Sequence, residues 1–394
     1  MNKCKLGDLL TIKHGFPFKG EYFSDKGEYI VLTPGNFYET GGFKRILGKE
    51  KYYLGIFPEE YLCKKGDFIV AMTQQAEGLL GSTAFVPEDD IYLHNQRIGL
   101  ISVNEQKADK YYLDYLFRTN EVRKQIRDSA TGSKVKHTSP DRIYDVEVYI
   151  HDLETQKRIG ALLHAIDSKI LYNNKTCLEL ESMAKTIYDY WFLQFEFPNE
   201  NGKPYKSSGG KMIWNEELKK EIPYGWRVMG IKKLLKVVTG KEDANFSSPS
   251  GNYKFFTCAQ EVLQCAEYAF DGSAVLVAGN GDFNVKHYSG KFNAYQRTYV
   301  LIPDEKKYFA AIYLAVSERI LQFKNGSNGS IVKFITKGDI EEIPILITEK
   351  DYLFDTINKI LTAVEAKRLE SEELLSLQKF ILPLLMNGQA GFKE

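Results

Sequence analysis

Two glutamine–arginine pairs, Gln96-Arg97 and Gln296-Arg297, carry side chains able to read another molecule. An arginine fork matches the edge of guanine, and a glutamine amide matches adenine, each by two hydrogen bonds. Both pairs follow an aromatic stretch, and their recurrence suggests a shared role. The plainer alternative is structural: glutamine satisfying backbone groups and arginine held in an ion pair. Two loops add donors for phosphates. They are Gly132-Ser133-Lys134-Val135-Lys136 and Gly329-Ser330-Ile331-Val332-Lys333. Ser133, Lys134, Lys136, Ser330 and Lys333 are the candidates there, against a helix-to-strand turn whose glycine serves only geometry. A basic-aromatic loop, Lys13-His14-Gly15-Phe16-Pro17-Phe18-Lys19, contributes Lys13 and Lys19, and its counterpart in the second half contributes Lys241.

Other chemistries have no residues to run on. No Gly-Lys is followed by Ser or Thr, so there is no phosphate-cradling loop of that kind. Val277-Ala278-Gly279-Asn280-Gly281 lacks the third glycine of a dinucleotide fingerprint and reads as a turn. There is no His-Glu-x-x-His, and the six His and five Cys are scattered without metal-ligand spacing. No Pro-Pro or Pro-Cys pair exists, so the loops of amino- and cytosine-methyltransferases and of zinc deaminases are missing. Pro303-Asp304-Glu305-Lys306-Lys307 places its charges consecutively, as a solvated turn does. The chain reads as a binder without catalytic residues, metal or cofactor of its own.

The elements that must position these residues come twice. Asn120 to Lys136 matches Ser317 to Lys333, with Gly-Ser-x-Val-Lys in the same register. Both segments run on into alternating apolar stretches, Ile143 to Ile150 and Ile340 to Ile347. Gly27 to Thr33 matches Gly251 to Thr257, Phe68 to Ala71 matches Val275 to Ala278, and Leu9-Leu10 before Gly15 matches Leu234-Leu235 before Gly240. Several matches in one order indicate duplication. Each half reads as mixed α/β, with short strands and amphipathic helices near 109–127 and 306–324.

After each half the texture changes. From about Glu154 to Phe192, and again from about Asp351 to Leu382, apolar residues recur at spacings of three, four and seven. The first seam holds Ile159, Leu162, Ile166, Ile170, Leu180, Met183 and Ile187, and the second Ile357, Ile360, Val364, Leu374 and Ile381. Thr348-x-x-Asp351 is the expected capping box of the second helix, and Pro383 is expected to end or kink it. Helices of this length reach roughly 45–60 Å. Asn173 and Ser371 interrupt the seams, so each helix needs a partner, and each suits the other. The Gly/Ser/Pro/Asn-rich stretch between the units reads as a connector. The expected fold class is α+β. It comprises two similar mixed α/β domains at 1–150 and 224–347 and two long antiparallel, coiled-coil-like helices at 151–196 and 348–394. A linker covers 197–223, and the whole forms a pseudo-two-fold repeat.

Composition bounds the rest. Lys+Arg and Asp+Glu are both 52, giving a net charge of +0. That counts mildly against strong solitary nucleic-acid binding, which leaves a basic footprint. The five cysteines suit reduced thiols, and no run reaches the roughly 18 apolar residues of a membrane span. A soluble, cytoplasmic chain without a membrane partner is expected.

These features together resemble the specificity subunits of type I restriction–modification systems. The resemblance rests on Leu93-His94-Asn95-Gln96-Arg97 after Gly78-Leu79-Leu80-Gly81-Ser82, on the Gly-Ser-x-Val-Lys loops, and on the repeated strand-to-long-helix transition. The segment from Phe195 to Met212, with Pro198-Asn199-Glu200-Asn201-Gly202-Lys203-Pro204, is its most specific part. It covers essentially the whole chain. It implies two target-recognition domains, each reading one half of a bipartite sequence in double-stranded DNA. It also implies helices that set the spacing and dock two modification (methyltransferase) subunits. S-adenosylmethionine, ATP and Mg would belong to partner modification and restriction subunits, not to this chain. The sequence departs from the family where Val285 to Gly290 replaces the longer Gln74 to Ser82 and where Tyr295 replaces Asn before the second pair. An asymmetric target follows. The competing classes are a self-contained DNA methyltransferase or nuclease with a divergent site, and a coiled-coil interaction protein that binds no DNA.

Overall fold

Short apolar runs bounded by glycine, proline and aspartate become strands, and the strands assemble in two units. The computed structural model describes residues 1–46, 48–74, 78–133, 135–281, 283–325 and 334–392. One unit comprises Met1–Ile170 with Glu372–Glu394, and the other comprises Leu171–Ser371.

In the first unit an antiparallel sheet orders Leu10–His14, Ile98–Val103, Phe68–Ala71 and Thr83–Phe85. One face packs on the helices Lys110–Arg118 and Asn120–Asp128, burying Val70, Ile101, Tyr112, Phe117 and Ile126. Asp109 starts the first of these helices by accepting the Tyr112 N–H at 2.9 Å. A smaller sheet runs Phe23–Ser24, Tyr52–Tyr53, Tyr29–Val31, Tyr92–Leu93, its last pair parallel.

In the second unit one sheet does the work of both. It orders Val238–Thr239, Thr298–Leu301, Phe270–Ala278, Val285–Ala294, Tyr253–Phe256 and Leu263–Cys265. Strand Val285–Ala294 pairs antiparallel with Phe270–Ala278 and then parallel with Tyr253–Phe256. In the first unit Thr83–Phe85 and Tyr92–Leu93 divide these pairings between them. Pro87 lies in the break, where it has no N–H for a ladder, and Asp90 sits at φ 60.

Each unit also joins an early strand to a late one: Asn2–Lys5 pairs Glu147–Ile150, and Arg227–Gly230 pairs Pro344–Ile347. These late strands are shorter than the alternation suggested. Ile143 and Ile340 lie instead in single helical turns, Pro140–Tyr144 and Lys337–Glu341. Pro140 favours a helix start, and Thr336 with Asp339 forms a capping box.

The long helices span Leu153–Tyr188 and Asp351–Met386. In the first unit Ile159 and Leu163 are buried in one core with Leu385 and Met386, and Gln378 donates to Asp167 at 2.6 Å. In the second unit Ala184 and Tyr188 share a core with Leu353, Phe354, Ile357 and Leu361. The seam differs in detail from the sequence pattern. Leu162 and Met183 are exposed, and the adjacent Leu163 and Ala184 take the buried positions. A straight helix at 3.6 residues per turn drifts from a 3.5 repeat, so a pattern counted in sevens slips by one. Asn173 is buried and donates to Glu370 at 3.1 Å, while Ser371 turns back to the Lys367 carbonyl at 3.0 Å.

Three further expectations change. Thr348 accepts from Lys350 rather than closing a box with Asp351, whose carboxylate pairs with Lys307. The second helix continues past Pro383 to Met386, with Asn387 N–H donating to the Pro383 carbonyl. The connector contains a hairpin, Met212–Asn215 with Lys220–Pro223, and Phe197 stacks on Tyr205 and Trp226. Its polar composition hid the aromatic anchors. No helix among the described residues is long and apolar enough to cross a membrane.

Candidate nucleic-acid interface

Both glutamine–arginine pairs occupy the middle of a tight turn. Ile98 N–H donates to the Asn95 carbonyl at 2.9 Å, and Thr298 N–H donates to the Tyr295 carbonyl at 2.8 Å. Gln96, Arg97, Gln296 and Arg297 are all exposed, while the residues after each pair are buried strand. The turns are built alike. Gln96 N–H donates to the Phe16 carbonyl and Gln296 N–H to the Glu242 carbonyl. The Arg97 carbonyl accepts from Met72 N–H at 3.0 Å, and the Arg297 carbonyl from Gly279 N–H at 2.9 Å. A glycine seats each turn. A Cβ on Gly15 would meet the Asn95 carbonyl oxygen at 2.2 Å, and one on Gly240 would meet the Ala294 carbonyl oxygen at 1.9 Å. Only a residue without a side chain permits that approach.

The side chains are less alike. Among the described residues none takes up the side chains of Gln96, Arg97 or Arg297. Gln296 is different, donating to Asp243 at 2.8 Å. Asn95 turns its side-chain oxygen onto Arg97 N–H at 3.0 Å, bracing the first turn as Tyr295 cannot brace the second. His94, buried beneath the first turn, contacts the Ile98 carbonyl at 2.8 Å. Burial holds its pKa below the usual histidine range, so the ring is neutral there.

The other candidates divide. In the first unit Lys136 lies opposite Gln74 in a two-stranded ladder, and Thr138 N–H donates to Met72, the residue that holds Arg97. Lys136 therefore belongs to the neighbourhood of Gln96 and Arg97, and His137 beside it contacts the Thr73 hydroxyl at 3.1 Å. Ser133 is exposed next to Gly132 at φ +99, where a Cβ would meet the Val135 carbonyl oxygen at 2.0 Å. That glycine is a requirement of the turn. Lys13 is not free, since its ammonium pairs with Glu60 at 2.8 Å and lies 4.6 Å from the Tyr61 ring centre. The hydrogen bond to Glu60 holds its pKa above the usual lysine range. Lys19 is exposed, its carbonyl accepting from Tyr22 N–H. In the second unit Lys241 is exposed and adjoins Glu242, the backbone partner of Gln296. Lys134, Ser330 and Lys333 lie outside the described residues.

Sequence reading missed the networks that fix each head to its helix segments. In the first unit Arg118 donates to Asp114 at 2.5 Å and to Asp167 at 2.9 Å, and Tyr115 donates to Asp167 at 2.7 Å. In the second, His287 lies against Glu181, Glu365 and Arg368. The partners are far apart in sequence, so spacing gives no signal.

Comparison with known proteins follows this geometry. The family model described as the type I restriction modification DNA specificity domain matches residues 1–182 and again 223–379. The specificity subunit of the type I restriction enzyme EcoDI from Escherichia coli is 38% identical over 176 residues, or 43% of this chain and 39% of that protein. The match thus spans less than half of that relative. The putative type I restriction enzyme MjaX specificity subunit from Methanocaldococcus jannaschii is 25% identical over 361 residues, covering 83% of this chain and 79% of that one. The crystal structure of a type I restriction–modification S subunit from M. genitalium aligns with 100% of this chain and 96% of its own, at a TM-score of 0.60 and 13% identity. This last likeness speaks to the fold alone.

Proposed function

The chain belongs to the type I restriction modification DNA specificity family, and from that premise we propose that it is the non-catalytic DNA-recognition subunit of such a system. Each globular domain, 1–150 and 224–347, reads one half of a bipartite, asymmetric target. The observation that carries this reading is the recurrence of one exposed turn, Gln96-Arg97 and Gln296-Arg297, on matching backbone supports in both units. Arginine and glutamine forks read base edges, while Lys136, Ser133, Lys19 and Lys241 take phosphates. Lys13 joins them by exchanging Glu60 for a phosphate. Lys134, Ser330 and Lys333 complete the two Gly-Ser-x-Val-Lys loops in the same role. The long helices, Leu153–Tyr188 and Asp351–Met386, form an antiparallel pair related by a pseudo-two-fold axis, the 197–223 linker leads from the first of them to the second domain, and the pair sets the half-site spacing.

The helices also dock modification subunits, two per chain. Large apolar side chains left in solvent favour this: Leu171, Tyr172 and Leu178 in the second unit, and Leu375, Leu377 and Phe380 in the first. Solvated helix faces do not ordinarily carry such a set. S-adenosylmethionine, ATP and Mg enter with the modification and restriction subunits. The zero net charge fits a subunit that holds DNA firmly only beside more basic partners. The chain works in the cytoplasm, where the DNA is.

The direct test is reconstitution with type I modification subunits. Methyl transfer to adenine in DNA should require both components. Methylation or cleavage by the purified chain alone would replace this reading with a self-contained enzyme.

A further inference from the structure

His287 sits on the strand Val285–Ala294, which runs directly into the turn bearing Gln296 and Arg297. Its side chain is 1% exposed. Nδ1 is in close contact with a Glu365 carboxylate oxygen, and Nε2 lies 3.7 Å from Glu181 and 3.2 Å from an Arg368 nitrogen. Arg368 in turn pairs with Glu181. Glu181 belongs to the first long helix, Glu365 and Arg368 to the second, so one imidazole ties this strand to both. From the helix Phe309–Asn325, Tyr313 and Phe309 close over the ring, at centroid distances of 4.6 and 6.2 Å. Among the described residues, Cys177 and Tyr313 are further titratable groups coupled to the same charges, and across the sheet the facing residue is uncharged Val275.

We propose that His287 is a positioning residue of the second domain, a titratable latch that holds the reading strand and its Gln296-Arg297 turn on the helix pair. The charges give the latch its sense. Two carboxylates face one guanidinium, and a protonated imidazole completes their neutralisation in a shielded place. Burial and the Arg368 charge pull the His287 pKa down, but the adjacent Glu181 and Glu365 carboxylates outweigh them and hold it above the usual histidine range. A group raised in the folded state stabilises fully below its unfolded pKa, and that stability is lost as pH rises through the folded value. The latch therefore holds fully in acid and loosens as pH rises through the folded value. The first domain has no rise of this sign: its equivalent tie is the Arg118 network with Asp114 and Asp167, and its buried His94, whose pKa burial lowers, favours opening in acid instead. The consequence for DNA rests on the function proposed above, whereas the latch itself does not.

Hydrogen exchange of the full chain, corrected for the intrinsic rate, tests it. From about pH 6 to about pH 9, opening of Val285–Ala294 and Phe270–Ala278 should rise. Opening of Ile98–Val103 and Phe68–Ala71 should not rise over the same range. His287→Gln should flatten the second domain's profile, and Glu365→Gln should move its onset to lower pH. A rise shared by both domains, or one that survives in His287→Gln, overturns the latch. The native profile decides alone if a variant fails to fold. No DNA enters the measurement, so failure of the recognition reading leaves it intact.

Discussion

Arg97 and Arg297 sit in equivalent turns, yet their surroundings assign them unequal neighbours. Gln96 is open beside Arg97, while Gln296 is held by Asp243. The first turn thus offers two forks and the second chiefly one. Losing a two-pronged base contact costs about 1–3 kcal/mol of discrimination. We expect Arg97→Ala to relax specificity in one half of the target and Arg297→Ala in the other. Methyl transfer by the reconstituted complex on duplexes substituted in each half will show this. Relaxation of the same half by both variants would disconnect the turns from separate half-sites. The pairs were legible in the sequence because the two residue types recur in one register. Asp243 and the paired state of Lys13 were not, since Glu60 and Asp243 reach their partners only through the folded chain.

The elements follow from periodicity, and the departures have local causes. The strands beside Gly15 and Gly240, the helices near 109–127 and 306–324 and the two long helices all follow from apolar spacing. Their ends do not, because caps such as Thr336-x-x-Asp339 and the helical turns at Ile143 and Ile340 look like strand in a hydrophobic pattern. The ties between heads and helices were also invisible. Arg118 is the clearest case, its side chain 12% exposed between Asp114, at 3%, and Asp167. Removing one member of a buried pair costs about 3–5 kcal/mol, because the remaining charge is stranded. Arg118→Ala should lower the unfolding free energy of the first unit by that amount, read as a fall in denaturant midpoint, while Arg118→Met with Asp114→Leu recovers most of it. An unchanged midpoint in the single variant would show that the network contributes little to stability.

Across the whole chain, duplication with divergence is the organising fact. The family model matches twice, and both units build their exposed turn on a close-approach glycine. The surfaces around the turns differ: a divided strand with a proline in the break on one side, an unbroken ten-residue strand on the other. An uninterrupted strand and a split one present different loops, so two unlike half-sites are the natural reading. The zero net charge fits the proposal that partners supply much of the binding strength. The measurement that bears most directly on this account is the adenine methylation pattern of host DNA with and without the gene, in a strain retaining its modification subunits. The account predicts that deletion removes one bipartite, asymmetric motif and leaves all others. A pattern unchanged by deletion, or loss of a single continuous or palindromic motif, would contradict it.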